Sequence, residues 1–265
     1  MKEDEIEVLG SRKKIKWKWI FYIILFVGLL LCVAYFMQSE AEKKEVVNEV
    51  EIIPENGEKR EEKISLSVDS INDVGLQIFS LHHLKAELFL ELPSPEDTTL
   101  FFVLQAADVR KDNGEILGDF VWKGKQLARG KRKPGFCTIV DGKLSIGRCL
   151  DEKILADCVE KDGYFFRQYA LVWEGEMQEN RLKGKAFRRA LAQQGDDFYI
   201  VLTTRRESLY DFSEALVDMG FTNAIYLVGG SSYGWYRLDG RLYELGQKEA
   251  YPLPNTTYLV FRTSP

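Results

Sequence analysis

Residues 198–232 read FYIVLTTRRESLYDFSEALVDMGFTNAIYLVGGSS, and this stretch decides the fold class. Phe198 to Leu202 is a short, wholly apolar run of strand length. From Ser208 to Met219 the period changes: Leu209, Phe212, Leu216 and Met219 are spaced 3, 4 and 3 apart, one face of a helix. Ser208 is placed to cap its N-terminus and Gly220 to end it. Ala224 to Val228 is a second apolar strand. Strand, helix and strand within about 30 residues form a crossover unit, which predicts that the two strands are parallel. The second strand ends at Gly229-Gly230-Ser231-Ser232, at a carboxyl edge where open α/β sheets hold ligands.

Upstream the periodicity is that of strands. Ile64, Leu66 and Val68 alternate with polar residues, as do Ala86 to Leu92, and Leu100 to Ala107 suits a central strand. Phe136 to Val140 and Lys143 to Ile146 flank Asp141-Gly142, a hairpin signal that sets Cys137 nearer Ile146 than Cys149. Tyr169 to Trp173 and Ala186 to Leu191 are further strands, with one short helix near Leu150 to Val159. The expected class is α+β: a mixed β-sheet with a C-terminal strand-helix-strand crossover.

The N-terminal quarter has a different character. Trp19 to Met37 (WIFYIILFVGLLLCVAYFM) carries no charge over 19 residues. At 1.5 Å per residue it covers roughly 28 Å, a bilayer's hydrocarbon thickness. Arg12, Lys13, Lys14, Lys16 and Lys18 precede it, and Glu40, Glu42, Glu45, Glu49 and Glu51 follow. The positive-inside rule then places 1–16 in the cytoplasm, a transmembrane helix at 17–37, a charged spacer at 38–63 and an envelope domain at 64–265. This is the order of a single-pass bacterial inner-membrane protein with a periplasmic or extracellular domain. A signal peptide cleaved near Ser39-Glu40-Ala41, a lipoprotein using Cys32 and a buried core helix are the competing readings.

The whole chain has 265 residues, 45% hydrophobic and 29% charged, with a net charge of -5, which speaks against disorder and against nucleic acid as a partner. Its two histidines, His82 and His83, leave little room for His metal sites or Ser-His-Asp triads. No ligand spacing calls for a metal, and no cofactor is expected. Cys137, Cys149 and Cys158 cannot all pair; Cys149 with Cys158 is the closer couple if oxidised.

Residues 211–234, DFSEALVDMGFTNAIYLVGGSSYG, resemble the C-terminal signature of phosphodiester glycosidase domains. These are relatives of the uncovering enzyme, which removes N-acetylglucosamine from a phosphodiester. Phe187-Arg188-Arg189-Ala190-Leu191 resembles the family's arginine-rich strand. AADVRKDNGEILGDFVWKG (106–124) and FFRQYALVW (165–173) resemble a bacterial branch. The likeness spans about Leu100 to Arg262 and implies a hydrolase of sugar–phosphate diesters. The chain departs from the signature at Val228, where the family has an aspartate.

A phosphodiester calls for guanidinium forks and close backbone amides. Arg110, Arg167, Arg188 and Arg189 are the candidate forks; the last two are strand neighbours, so they face opposite sides. Gly229, Gly230, Ser231 and Ser232 are the candidate amides. Tyr233, Trp235 and Tyr236 are available to stack on a sugar or to pack beneath the loop. With Val228 apolar, Asp108, at the end of a buried strand, is the candidate catalytic carboxylate. Two functions stay open: a glycosidase acting on sugar-phosphate diesters, and a silent glycan-binding or structural domain of the same fold.

Overall fold

The computed structural model describes residues 63–110, 112–130, 133–149, 151–248 and 257–264. All of them belong to one compact unit, Lys59–Pro265. The segments read as the cytoplasmic N-terminus, the membrane span and nearly all of the spacer lie outside the described residues. Among the described residues no helix is long and apolar enough to cross a membrane. That finding corrects the single-pass, inner-membrane reading, which rested wholly on the run at 17–37.

Among the described residues, seventeen strands and two helices follow in order: β1 Lys63–Ile71, β2 Val74–His82, β3 Lys85–Phe89, β4 Leu100–Gln105, β5 Phe120–Trp122, β6 Lys125–Ala128, β7 Gly135–Val140, β8 Lys143–Arg148, α1 Lys153–Glu160, β9 Tyr164–Gln168, β10 Ala170–Trp173, β11 Glu176–Met177, β12 Arg189–Gln194, β13 Asp197–Thr203, α2 Leu209–Asp218, β14 Asn223–Leu227, β15 Gly234–Leu238, β16 Arg241–Leu245 and β17 Tyr258–Arg262. They build three sheets ordered β1-β2-β13-β12-β14-β10-β11, β16-β15-β4-β17-β3 and β6-β5-β9-β7-β8.

The domain is therefore mostly β, and the α+β expectation with a mixed sheet is corrected. The crossover from β13 through α2 to β14 exists, but it skips one position. β12 lies between the two strands and pairs antiparallel with both. They run the same way without forming a parallel ladder. An apolar strand buried on both faces reads alike whichever way its neighbour runs.

The seven-stranded sheet is the middle layer. On one face Leu191, Ile200, Leu202, Ile225 and Leu227 pack against Phe102, Leu259 and Phe261 of the second sheet and Phe120, Cys137 and Phe166 of the third. On the other face Ala190, Val201 and Tyr226 meet Leu209, Phe212, Ala215 and Leu216 of α2. Each such fully buried large side chain contributes about 1.5–3 kcal/mol. Ser208 Oγ accepts from Asp211 N at 3.0 Å and starts α2. Gly220, at φ 82°, takes the left-handed conformation just past its end. The β7–β8 turn has Asp141 at φ 51° and Gly142 at φ 74°, the two positive angles of a type I′ turn, and it pairs Cys137 with Ile146.

Candidate functional site

β13 ends at Thr203 and β14 at Leu227, while β12 starts between them, with Arg189 opposite both Leu202 and Leu227. The segments 184–188, 204–207 and 228–233 consequently meet at one end of the sheet. A cavity of about 460 Å³ opens there, lined by Arg188, Arg189, Arg206, Gly230, Ser231 and Glu244 among others. The structure thus brings together four of the residues singled out from sequence.

Both neighbouring arginines are buried, and each is engaged by protein. Arg189 shares its strand face with Leu191 and points toward the central core; Arg188 shares its face with Ala190 and α2. Arg189 donates to Ser232 Oγ at 3.1 Å and to the Ser232 carbonyl at 3.0 Å. Arg188 donates from Nε to the Glu207 carbonyl at 2.8 Å and from Nη2 to the Gly184 carbonyl at 2.5 Å. The buried Glu207 carboxylate accepts from Arg205 at 2.6 Å and lies 3.5 Å from Lys185. Arg188 and Glu207 together sew two of the three segments.

The glycine loop is tied to itself and to its neighbours. Gly229 N donates to the Tyr226 hydroxyl at 3.2 Å, Gly230 N to the Phe187 carbonyl at 2.8 Å, and Ser232 N to the Gly229 carbonyl at 3.2 Å. Three of the loop's amides thus have partners inside the protein, so it is not an open anion nest. A Cβ on Gly229 would run into the Phe187 carbonyl, which explains the glycine sterically. Ser232 Oγ donates to the Val228 carbonyl at 2.6 Å. Val228 itself is buried and apolar.

Of the lining residues that sequence reasoning did not single out, three bear on ligand chemistry. Arg206 is exposed, lines the cavity and makes no hydrogen bond or ion pair among the described residues. Phe187 lines it too and is 42% exposed. Glu244, on β16, is the single carboxylate among the described lining residues and accepts from the Tyr233 hydroxyl at 2.5 Å. Burial first, then that hydrogen bond and the Glu244 charge, push the Tyr233 phenol up to about 12. The one advance signal for Arg206 was its place just beyond the apolar strand 198–202.

The remaining candidates lie elsewhere. Asp108 does not line the cavity; its carboxylate is ion-paired with Lys133, which also donates to Gln168 Oε1 at 2.9 Å. Lys133 lies 4.6 Å from the centre of the Tyr169 ring, and that ring is 6.4 Å from Tyr226. Burial, then the Asp108 charge, raises the Tyr169 phenol. Arg167 is buried and donates to Asp119 at 2.8 Å and to the Cys149 carbonyl at 2.7 Å. Arg110 pairs with Asp112 on the surface. Trp235 and Tyr236 are buried in the second sheet, so they pack and do not stack on a ligand. Cys137, Cys149 and Cys158 are all free thiols in this structure. Among the described residues no group of three His, Cys, Asp or Glu side chains is placed to hold a metal.

No protein-family model and no curated protein matches this sequence. Its fold is similar to that of the zebrafish N-acetylglucosamine-1-phosphodiester alpha-N-acetylglucosaminidase catalytic domain, auto-inhibited by pro-peptide. The TM-score is 0.55 and the identity 16%, over 80% of this chain and 85% of that one. A hypothetical protein from Synechocystis aligns with a TM-score of 0.49 and 14% identity, over 76% of this chain and 62% of that one, less than two thirds of its length. At such identity the likeness is one of fold: the domain has the architecture of a phosphodiester glycosidase catalytic domain.

Proposed function

We propose that this domain binds a phosphate-bearing glycan, a sugar phosphodiester, in the arginine-lined cavity and holds it without cleaving it. The observation that carries the reading is the charge of the lining: among the described residues, three guanidinium groups face one carboxylate. Guanidinium matches phosphate oxygens in both charge and geometry. The fold shared with a glycosidase catalytic domain supports a glycan as the rest of the ligand. Cleavage of a glycosidic bond ordinarily uses two carboxyl groups about 5–10 Å apart. Here Val228 is apolar at the position where the resembling family carries its acid, and Asp108 is held by Lys133.

Hydrolysis is the second reading, and one observation favours it: Glu244 lines the cavity, and a carboxylate can act as an acid or a base. It would need a second group to complete the chemistry.

Calorimetric titration of the full chain with methyl N-acetylglucosaminyl phosphate tests the binding reading, alongside Gln247→Trp, which fills the cavity from an exposed lining position. Saturable heat from the unaltered chain and none from the variant is the expected result. No heat from the unaltered chain, or equal heat from both, overturns it.

A further inference from the structure

Resting on that reading, we infer that the cavity divides its labour: Arg206 is the side chain that contacts the phosphate, Phe187 is the platform for the sugar ring, and Arg188 and Arg189 are the frame. The ligand is then a phosphorylated sugar recognised at both ends, not a bare anion or a neutral glycan.

The argument is an accounting of donors. Arg188 directs Nε and Nη2 at two backbone carbonyls, and Arg189 directs both Nη atoms at Ser232. Both are buried and hold loops. Both guanidinium groups are engaged by protein, so these forks are occupied. Three amides of the glycine loop are occupied as well. Arg206 differs in being exposed and unpaired among the described residues. Its fork can close on two phosphate oxygens without breaking an existing bond.

Phe187 supplies the other half. Its carbonyl is fixed by Gly230 N at 2.8 Å, so its backbone is anchored at the cavity wall while the residue stays 42% exposed. Isolated exposed apolar residues are ordinary on surfaces. This one lines a polar, cationic cavity, where an apolar ring is suited to cover the C–H face of a sugar. Of the three aromatics suggested by sequence, Trp235 and Tyr236 are buried and cannot do this, and Tyr233 is bound to Glu244 and does not line the cavity.

The test titrates the full chain, Arg206→Gln and Phe187→Ser with methyl N-acetylglucosaminyl phosphate and with inorganic phosphate. Both replaced residues are exposed, so equal denaturation midpoints establish that the fold is intact. Arg206→Gln is expected to weaken both probes about tenfold or more, the loss of a charged hydrogen-bond pair. Phe187→Ser is expected to weaken the sugar diester about fivefold through lost apolar contact and to leave inorganic phosphate unchanged. If Gln247→Trp abolishes diester binding while Arg206→Gln does not alter it, the cavity is the site but this assignment fails. If Phe187→Ser binds the diester as the unaltered chain does, the platform is disproved. If the unaltered chain binds neither probe, the binding reading and this inference fall together.

Discussion

Replacing Arg189 by methionine should cost stability, and the amount separates a frame residue from a ligand residue. The buried guanidinium makes hydrogen bonds of 3.1 and 3.0 Å to Ser232. Methionine keeps most of the aliphatic volume and removes both donors. Ser232 Oγ retains its bond to the Val228 carbonyl, so the hydroxyl is not orphaned. The Ser232 carbonyl is, and an unsatisfied buried acceptor costs about 1–3 kcal/mol. Charged hydrogen bonds are worth about 1.5–3 kcal/mol each, offset by relief of a buried charge. The net expectation is a loss of about 2–3 kcal/mol, which for a domain of this size lowers Tm by about 5–9 °C. Urea denaturation of the full chain at neutral pH measures it, with the slope m checked for constancy. Arg206→Gln, measured in parallel, should leave the midpoint unchanged. A loss below about 0.5 kcal/mol for Arg189→Met, the level of an ordinary surface change, would refute the claim that Arg189 braces the loop.

Three further outcomes follow from the geometry. Arg167→Met should destabilise the domain by about 3–5 kcal/mol, because it leaves Asp119 charged and buried; an effect confined to ligand affinity in the melting and titration curves would restore Arg167 to the site. Gly229→Ala should weaken both folding and diester binding, since its methyl collides with the Phe187 carbonyl; unchanged melting and affinity would show that the loop has room to give. Burial, then the Asp157 charge, pushes the Cys158 thiol from 9.0 up to about 11. The fold therefore favours the protonated thiol, so this stability is complete below pH 9 and is lost as pH rises toward 11. Cys158→Ala should flatten that part of a stability-against-pH curve, and an unaltered slope would contradict it.

The position of the cavity was partly legible in the sequence and little of its lining. The run 198–232 gave the two strands, the helix with its Ser208 cap, and the loop at the carboxyl edge. It could not show β12 inserted between the strands, because that pairing is set by contacts distant in sequence. Asp141-Gly142 announced its hairpin, whereas Lys123-Gly124 and Glu174-Gly175 adopt the same pair of positive φ angles with first residues that carry a weaker turn signal. The opposite faces of Arg188 and Arg189 followed from strand alternation. What occupies each guanidinium did not, since Gly184, Glu207 and Ser232 arrive from three segments. Glu244 and Arg206 stood out by no motif; they matter through the cavity that folding forms around them.

A phosphorus-31 NMR spectrum of methyl N-acetylglucosaminyl phosphate, recorded over a day with the full chain, tests the central claim in one experiment. The diester resonance should broaden in proportion to added protein, sharpen again with the Gln247→Trp variant, and keep its full integral with no monoester signal. A sharp, unshifted diester line beside the unaltered chain would deny binding. A growing methyl phosphate resonance that depends on the protein and disappears with Glu244→Gln would show that the cavity cleaves what it holds.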